Sequence, residues 1–353
     1  MIRQLARLTR RLPAAGRRAV ALSVYANDDD HGLAARDRGF EGVACVDDAA
    51  RAVVLLLDLF RDTGDRRLVE WATGLIDFVL YMQLADGRFH NFIRDWEGSI
   101  NTDGPTSYAG GTFWQARAVR ALAKAHLVLR DPRVALPLAR GFAFATENPA
   151  PPDVRTIQVL AALDLMRIGL TPVLRETLER WCDEIAECRD GEVLLNSPGE
   201  QAPHLWGHVH EGVLAEAAPL LDRPDLLDVA RQSAHALLVP QIESAFPERL
   251  VQPYGVAAAV YNMDRLYQAT GEGAYARWRD QARAWFDGRN TASLPVYDRV
   301  NGRVTDGIDE GRLNPHSGAE ANIVGAQALL PDVAARVGEL LDQVADRLEV
   351  VAA

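Results

Sequence analysis

Lysine is all but missing from this chain. Of its 38 basic residues only Lys124 is a lysine, which reads as a trait of GC-rich coding and not as a device of function. Cysteine is scarce too. Cys45, Cys182 and Cys188 leave an odd count with no zinc spacing and no disulfide framework, so reduced thiols and a cytoplasmic setting are expected. No apolar run reaches the roughly 20 residues of a membrane span, and no membrane segment is expected. Net charge is -11, an acidity that argues against nucleic acid or an anionic membrane as partner. Acidic residues, in turn, are missing before Asp28, where Arg3, Arg7, Arg10, Arg11, Arg17 and Arg18 cluster. A signal peptide would start this way, but the apolar part Ala19–Ala26 is short and interrupted. Leu5, Leu8 and Leu12 instead predict an amphipathic first helix. Gly110-Gly111 is no P-loop, and there is no GxGxxG after a strand, no GxSxG elbow and no reactive-cysteine signature.

What is present is helix. With 353 residues, 48% hydrophobic and 25% charged, the chain can bury a large core. After a polar loop near 27–43 that includes Asp28-Asp29-Asp30-His31, apolar periodicity and break signals mark helical segments. They lie near 47–62, 66–83, 112–129, 132–146, 153–168, 172–188, 209–221, 225–239, 254–269, 273–287, 318–329 and 332–349. The connections alternate in length. Tight joints such as Asp62-Thr63-Gly64-Asp65 and Arg130-Asp131-Pro132 alternate with long returns near 84–111, 189–208, 240–253 and 288–317; only the return at Asn148–Pro152 is short. Helical hairpins tightly joined at one end and long-looped at the other predict an all-α (α/α)6 toroid over 41–353, preceded by an N-terminal helix and loop over 1–40. An open solenoid fits less well because the spacing of the odd helices is not constant. Long loops sharing one mouth mark a binding site on a rigid ring.

Six polar loop-to-helix entries furnish that mouth. The first is Cys45-Val46-Asp47-Asp48, where two carboxylates meet a helix start and either cap it or do chemistry. The pair resembles the acidic motif of class II terpene cyclases, but Cys45 stands where that pattern needs Asp. The loop 84–111 offers His90, Asn91, Trp96, Asp103 and Tyr108 before Trp114, a mix of aromatic faces and hydroxyl-binding groups that suits a sugar; alternation in Arg88–Ile93 allows a short strand. Thr112 and Gln115 have capping-box spacing. The third entry, with Asp153, Arg155 and Gln158, is unspecific. The fourth has His204, Trp206, His208, His210 and Glu211. Alternate histidines invite a metal, but no further ligands have the right spacing, and neither metal nor cofactor is expected. Gln252 and Tyr254 form the fifth entry; Asp309, Glu310 and His316 precede the sixth. There Ser317 and Glu320 match a capping box, which leaves Asp309 and Glu310 without a local explanation.

Taken together, Val46-Asp47-Asp48-Ala49-Ala50-Arg51-Ala52, Gly87-Arg88-Phe89-His90-Asn91-Phe92, Phe286-Asp287-Gly288-Arg289-Asn290 and Ser317-Gly318-Ala319-Glu320 resemble a bacterial six-hairpin, glycosidase-like family with VDDNARA, GRFHNF, FLGRN and QGAES motifs. The resemblance covers about 40–330 in consistent order. It departs at Ala49, where the family has Asn, and in the rewritten stretch Asn101–Gly110. It implies a toroid, carbohydrate chemistry and association with glycosyltransferases or other glycan-processing partners. The expected activity is an inverting glycoside hydrolase on an oligo- or polysaccharide, with an acid and a base about 6.5–9.5 Å apart. Asp48 and Glu211 form the favoured pair, because entries one and four oppose each other across a six-membered ring. Asp47 is the partner of Asp48, and Asp103 and Glu310 are further candidates. Trp96, Tyr108, Trp206 and Tyr254 would stack on sugar; His90, Asn91, His208, Gln252 and His316 would bind hydroxyls. The alternatives are an epimerase or lyase using a histidine base, and a non-catalytic glycan-binding module.

Overall fold

A computed structural model describes residues 1–26, 32–33, 41–169 and 171–352; the expected polar segment Asp28–His31 lies outside the described residues. In chain order the helices are α1 (Ile2–Leu8), α2 (Val46–Thr63), α3 (Arg66–Tyr81), α4 (Thr112–Leu129), α5 (Pro132–Glu147) and α6 (Pro152–Met166). Next come α7 (Pro172–Glu187), α8 (His210–Leu221), α9 (Pro224–Ser233), α10 (Val239–Glu243), α11 (Pro253–Thr270) and α12 (Gly273–Arg283). The chain ends with α13 (Ala319–Ala328), α14 (Leu330–Ala334), α15 (Val337–Asp342) and α16 (Ala345–Ala352). They belong to two compact units. The first comprises Met1–Pro149, Arg299–Val304 and Pro315–Ala353; the second comprises Ala150–Asp298 and Thr305–Asn314.

The tight joints have one local cause. Gly64, Arg130, Asp222 and Gly271 follow α2, α4, α8 and α11 in the left-handed region, with φ of 74°, 52°, 59° and 71°. Each returns an N–H to the last turn of its helix, which ends it in one residue. Asp65, Asp131 and Thr171 then cap α3, α5 and α7 through their side chains. Reversal within a few residues forces antiparallel neighbours, and α2 packs on α3, α4 on α5, α6 on α7, α8 on α9 and α11 on α12.

Burial separates two layers. In the second unit α6 is buried from Pro152 to Asp164, while α7 buries one face through Leu174, Leu178, Trp181 and Ile185. A helix apolar nearly all round must be enclosed, and a one-faced helix lies outside it. The enclosed helix α8 touches both α6 and α11; in the first unit α2 touches both α4 and α13.

Three expectations need correction. The N-terminal helix ends at Leu8, because Thr9–Arg11 pairs antiparallel with Val20–Leu22 and Leu12 is buried in that hairpin. Helix α1 buries Ile2, Leu5, Ala6 and Leu8 and packs on α13 and α15. The expected helix 332–349 is broken into α14, α15 and α16, and 225–239 passes from α9 through a π-helical turn, Ala234–Leu238, into α10.

Candidate functional site

The start of α2 is built by the loop that follows α3. Ala44–Cys45 pairs antiparallel with Phe92–Ile93, the short strand expected near there. Val46 N–H donates to the Asn91 carbonyl (2.8 Å), Asp47 N–H to Asn91 Oδ1 (3.1 Å) and Asp48 N–H to Cys45 Sγ (3.4 Å). Asn91 and Cys45 thus satisfy the first donors of the helix. Neither aspartate has to cap it, and both carboxylates are available for other work.

They enter a charge cluster. Arg51, one helical turn on, donates from Nη2 to Asp48 Oδ1 (2.9 Å) and Asp47 Oδ2 (3.3 Å), and from Nη1 to Glu320 at the start of α13. Arg117 of α4 donates to Asp47 Oδ2. The two neighbours are driven apart. Asp48, 2% exposed, is pushed up to about 7 by burial, against the pull of Arg51 and helped by Glu320 and Asp47. Burial also lifts Asp47, but Arg117 and Arg51 outweigh it and hold that carboxyl below its ordinary value. Glu320, 39% exposed, is the carboxylate of the cluster most open to solvent.

The rest of the 84–111 loop is held by its own polar groups. His90 Nδ1 donates to the Ser107 carbonyl (3.0 Å), Asn91 Nδ2 to the Thr106 carbonyl (2.9 Å) and Trp114 Nε1 to the Phe89 carbonyl (3.0 Å). Gln115 and Thr112 form no capping box, since Gly111 is the N-cap; Gln115 instead accepts from Phe89 N–H and donates to the Gly87 carbonyl. Asn91 and Trp114 thus also hold the loop in place. Trp96 is half-buried, and Tyr108 is exposed with its ring edge-on to Trp114 at 5.1 Å. Asp103 is 83% exposed beside Arg94 (3.6 Å).

In the second unit the entry to α8 is enclosed. His208, His210 and Glu211 are fully buried. Asn196 Nδ2 donates to the His204 carbonyl (2.9 Å), which leaves Oδ1 to accept from His208 Nδ1 (2.8 Å). His208 Nε2 and Ser233 Oγ both meet Glu211 Oε1, at 3.0 and 2.6 Å. The His210 ring stacks on His208 at 4.2 Å. Among the described residues no cluster of three or more His, Cys, Asp or Glu side chains is arranged to hold a metal ion. Near this entry Trp206, 38% exposed, stacks on His204 at 4.1 Å and stands edge-on to Tyr254 at 6.4 Å; the Tyr254 hydroxyl donates to Gln252. His316, which belongs to the first unit, is half-buried.

Glu310 has a local explanation after all. Ile308–Asp309 and Arg312–Leu313 pair antiparallel, and Glu310 (φ 48°) with Gly311 (φ 74°) makes the two-residue turn between them. Its side chain is exposed, 3.0 Å from Arg249. Arg51, Arg117, Glu320, Asn196 and Ser233 were not among the expected site residues. For Arg51 the signal was present, at three and four residues from Asp48 and Asp47; for the others it lies in tertiary contacts.

A scan against protein-family models finds no match, and a search of curated proteins finds none either. Solved structures do match. A sugar epimerase from a ruminal bacterium superposes with a TM-score of 0.71 at 13% identity, over 94% of this chain and 95% of that one. The cellobiose 2-epimerase of Spirochaeta thermophila gives 0.63 at 16% identity, over 81% and 86%. A family 76 α-mannanase from Bacteroides thetaiotaomicron gives 0.58 at 12% identity, over 87% and 90%. The fold is accordingly the (α/α)6 toroid, as the alternating connections predict. At these identities the likeness is one of fold.

Proposed function

We propose that this chain is a carbohydrate-active enzyme, and within that class a glycoside hydrolase whose proton-transfer centre is the start of α2. The observation that carries the reading is a pair of adjacent carboxyls, one buried and one half-buried, pushed apart: Asp48 raised to about 7 beside Asp47 held below its ordinary value. Such a divergence assigns an acid and a permanent anion to one site. Asp48 would protonate the glycosidic oxygen. Asp47, fixed by Arg117 and Arg51, would remain the anion that keeps the Asp48 proton in place. Glu320, joined to Asp48 through Arg51 and open to solvent, would activate the attacking water as the base of an inverting reaction. The names of the structural neighbours, a cellobiose 2-epimerase and an α-mannanase among them, support a hexose-based saccharide as substrate. A glycan-processing partner and a cytoplasmic setting belong to the same proposal. They are supported by the family resemblance and by three free cysteines; among the described residues no helix is long and apolar enough to cross a membrane.

The test is incubation with a library of gluco- and manno-oligosaccharides, with products read by mass and their anomeric configuration by NMR. Hydrolysis with inversion is expected, and Glu320→Gln should lower turnover roughly 10²-fold or more. Asp103→Ala and Glu310→Ala should leave it unchanged. An active Glu320→Gln enzyme would remove that residue, and no cleavage of any glycan would remove the reading.

A second reading, as a sugar epimerase or isomerase, is favoured by the stacked, buried His208–His210 pair beside Glu211, together with the epimerase neighbours. It predicts deuterium uptake from D₂O into a reducing sugar with no gain of water. Unlabelled sugar recovered after prolonged incubation would exclude it.

A further inference from the structure

The arginine cluster at the start of the chain has no part in the centre at α2. The first 27 residues hold six arginines and no acid, so a chain of net charge -11 carries -17 outside them. The fold gathers four of the six on one hairpin. Thr9–Arg11 pairs with Val20–Leu22, Leu12 N–H donates to the Ala19 carbonyl, and Pro13–Ala15 makes the turn. Leu12, Ala19, Val20, Ala21 and Leu22 are buried, and the hairpin packs on α3. Its backbone and apolar side hold it in place. Arg11, Arg17 and Arg18 are left exposed, with Arg10 half-buried. Arg11 Nη2 donates to the Arg17 carbonyl (3.4 Å), which draws the first two together. Among the described residues the one carboxylate within ion-pair distance of these four is Asp77, 3.9 Å from Arg18, and Arg133 already holds it at 2.6 Å. Like charges gathered without acids repel, and a surface normally intersperses the two signs. Guanidinium forks meet carboxylate, sulfate or phosphate oxygens two at a time, so a rigid group of them suits a polyanion.

The rest of the molecule selects among polyanions. A bilayer presents its charge as a plane, so the -17 outside the hairpin opposes adsorption. Pro13 and Ala14, exposed at the turn, provide no aromatic or long apolar anchor either. A single-stranded nucleic acid needs rings for its bases, and Thr9–Leu22 contains no aromatic residue. An anionic glycan needs neither plane nor ring. The hairpin also stands against the loop that builds the start of α2. A Cβ added at Gly98 would lie 2.5 Å from Ala14 Cβ, and the same 84–111 loop supplies Phe92–Ile93 and Asn91 to that helix start.

We propose that the hairpin Thr9–Leu22 is a second glycan-binding surface, which takes a saccharide chain bearing anionic groups through Arg11, Arg17 and Arg18. The inference rests on the carbohydrate reading but on neither reaction, and it shares no residue with the centre at α2. It adds a substrate class to that reading: a polysaccharide whose sugars carry carboxylate, sulfate or phosphate.

The experiment titrates the full chain by calorimetry with polygalacturonate and with dextran sulfate, which separate carboxylate from sulfate. It is run in about 0.15 M salt, where exposed charges more than ~8 Å apart are screened and diffuse attraction is weak. Wild-type protein should bind at least one polymer saturably. The triple variant Arg11→Ser, Arg17→Ser, Arg18→Ser should weaken that binding roughly tenfold or more, the sum of three surface ion pairs, with an unchanged melting temperature. Arg17→Glu keeps the test open if the triple variant does not fold, because the Arg17 side chain makes no hydrogen bond or ion pair among the described residues. It should weaken binding roughly threefold or more by itself. Vesicles of phosphatidylglycerol and phosphatidylcholine, and single-stranded poly(dT), should bind more weakly than the glycan. No saturable binding of either polymer, the same affinity in both variants, or tighter binding of vesicles or poly(dT) would each overturn the proposal. An anionic polymer bound through the hairpin, with no glycan cleaved, would leave this surface standing and end the hydrolase reading. Neutral glycans cleaved by a protein that binds neither anionic polymer would do the reverse.

Discussion

Asp48→Asn is expected to lower turnover roughly 10²- to 10⁴-fold, the scale for losing a general acid, while making the protein more stable at neutral pH. The second half follows from the sign of the shift. An aspartate has an unfolded value of about 3.9, and in the folded protein Asp48 is raised to about 7. Between these values the native state binds the extra proton, so the contribution of Asp48 is fully present below pH ~4 and is lost as pH rises through ~7. The ionised, buried form then costs on the order of a few kcal/mol. Asparagine cannot ionise and keeps an oxygen for Arg51, so it avoids this cost. Asp47 has the opposite sign: its contribution is lost only as pH falls through a value below the ordinary one, outside this window. The difference in melting temperature between Asp48→Asn and wild type should therefore grow from pH 4 to 7, and activity in wild type should fall as pH rises through ~7. A pH-independent difference in melting temperature, with turnover intact, would mean that Asp48 is neither raised nor catalytic.

Much of this molecule can be read from its sequence because the helices end by local chemistry. Glycine, arginine or aspartate in the left-handed region and a capping aspartate or threonine are written in the tight joints themselves. The entries were harder. Thr112-x-x-Gln115 and Ser317-x-x-Glu320 both have capping spacing, yet neither caps. Gln115 is taken by the backbone of Gly87 and Phe89, Ser317 by the Val304 carbonyl, and Glu320 by Arg51. Side chains that can satisfy a helix end can satisfy a distant loop equally well, and spacing alone does not rank the two. At α2 the cap fell to Cys45, a weak acceptor that composition gives no reason to choose. The arginines were hidden for another reason. In a chain where arginine supplies nearly every positive charge, the two that hold the Asp47–Asp48 pair look like the thirty-odd others.

Arg51→Met should be among the most damaging single substitutions in the chain. Among the described residues Arg51 is the one that contacts Asp47, Asp48 and Glu320 together, and its side chain is only 12% exposed. Removing one partner from a buried ion pair leaves the other charge uncompensated, typically at about 3–5 kcal/mol. Asp47 would keep Arg117, so most of the damage should come through Asp48 and its neighbour Glu320. Without Arg51 the proton on Asp48 is held more tightly, because the main force opposing burial is gone. That gives the loss a pH dependence: it should be largest above pH 7, where wild-type Asp48 ionises against Arg51, and smaller near pH 5, where Asp48 is already neutral. It also gives a rescue. In the double variant Arg51→Met, Asp48→Asn the charge that Arg51 compensates is absent, so the double variant should be more stable than Arg51→Met alone. A coupling of about 1–3 kcal/mol is expected for residues in one network. Denaturant unfolding of the four proteins at pH 5 and pH 8 measures both quantities. Additive effects at both pH values would show that Arg51 contributes by packing alone, and that the cluster at the start of α2 does not set the protonation of Asp48.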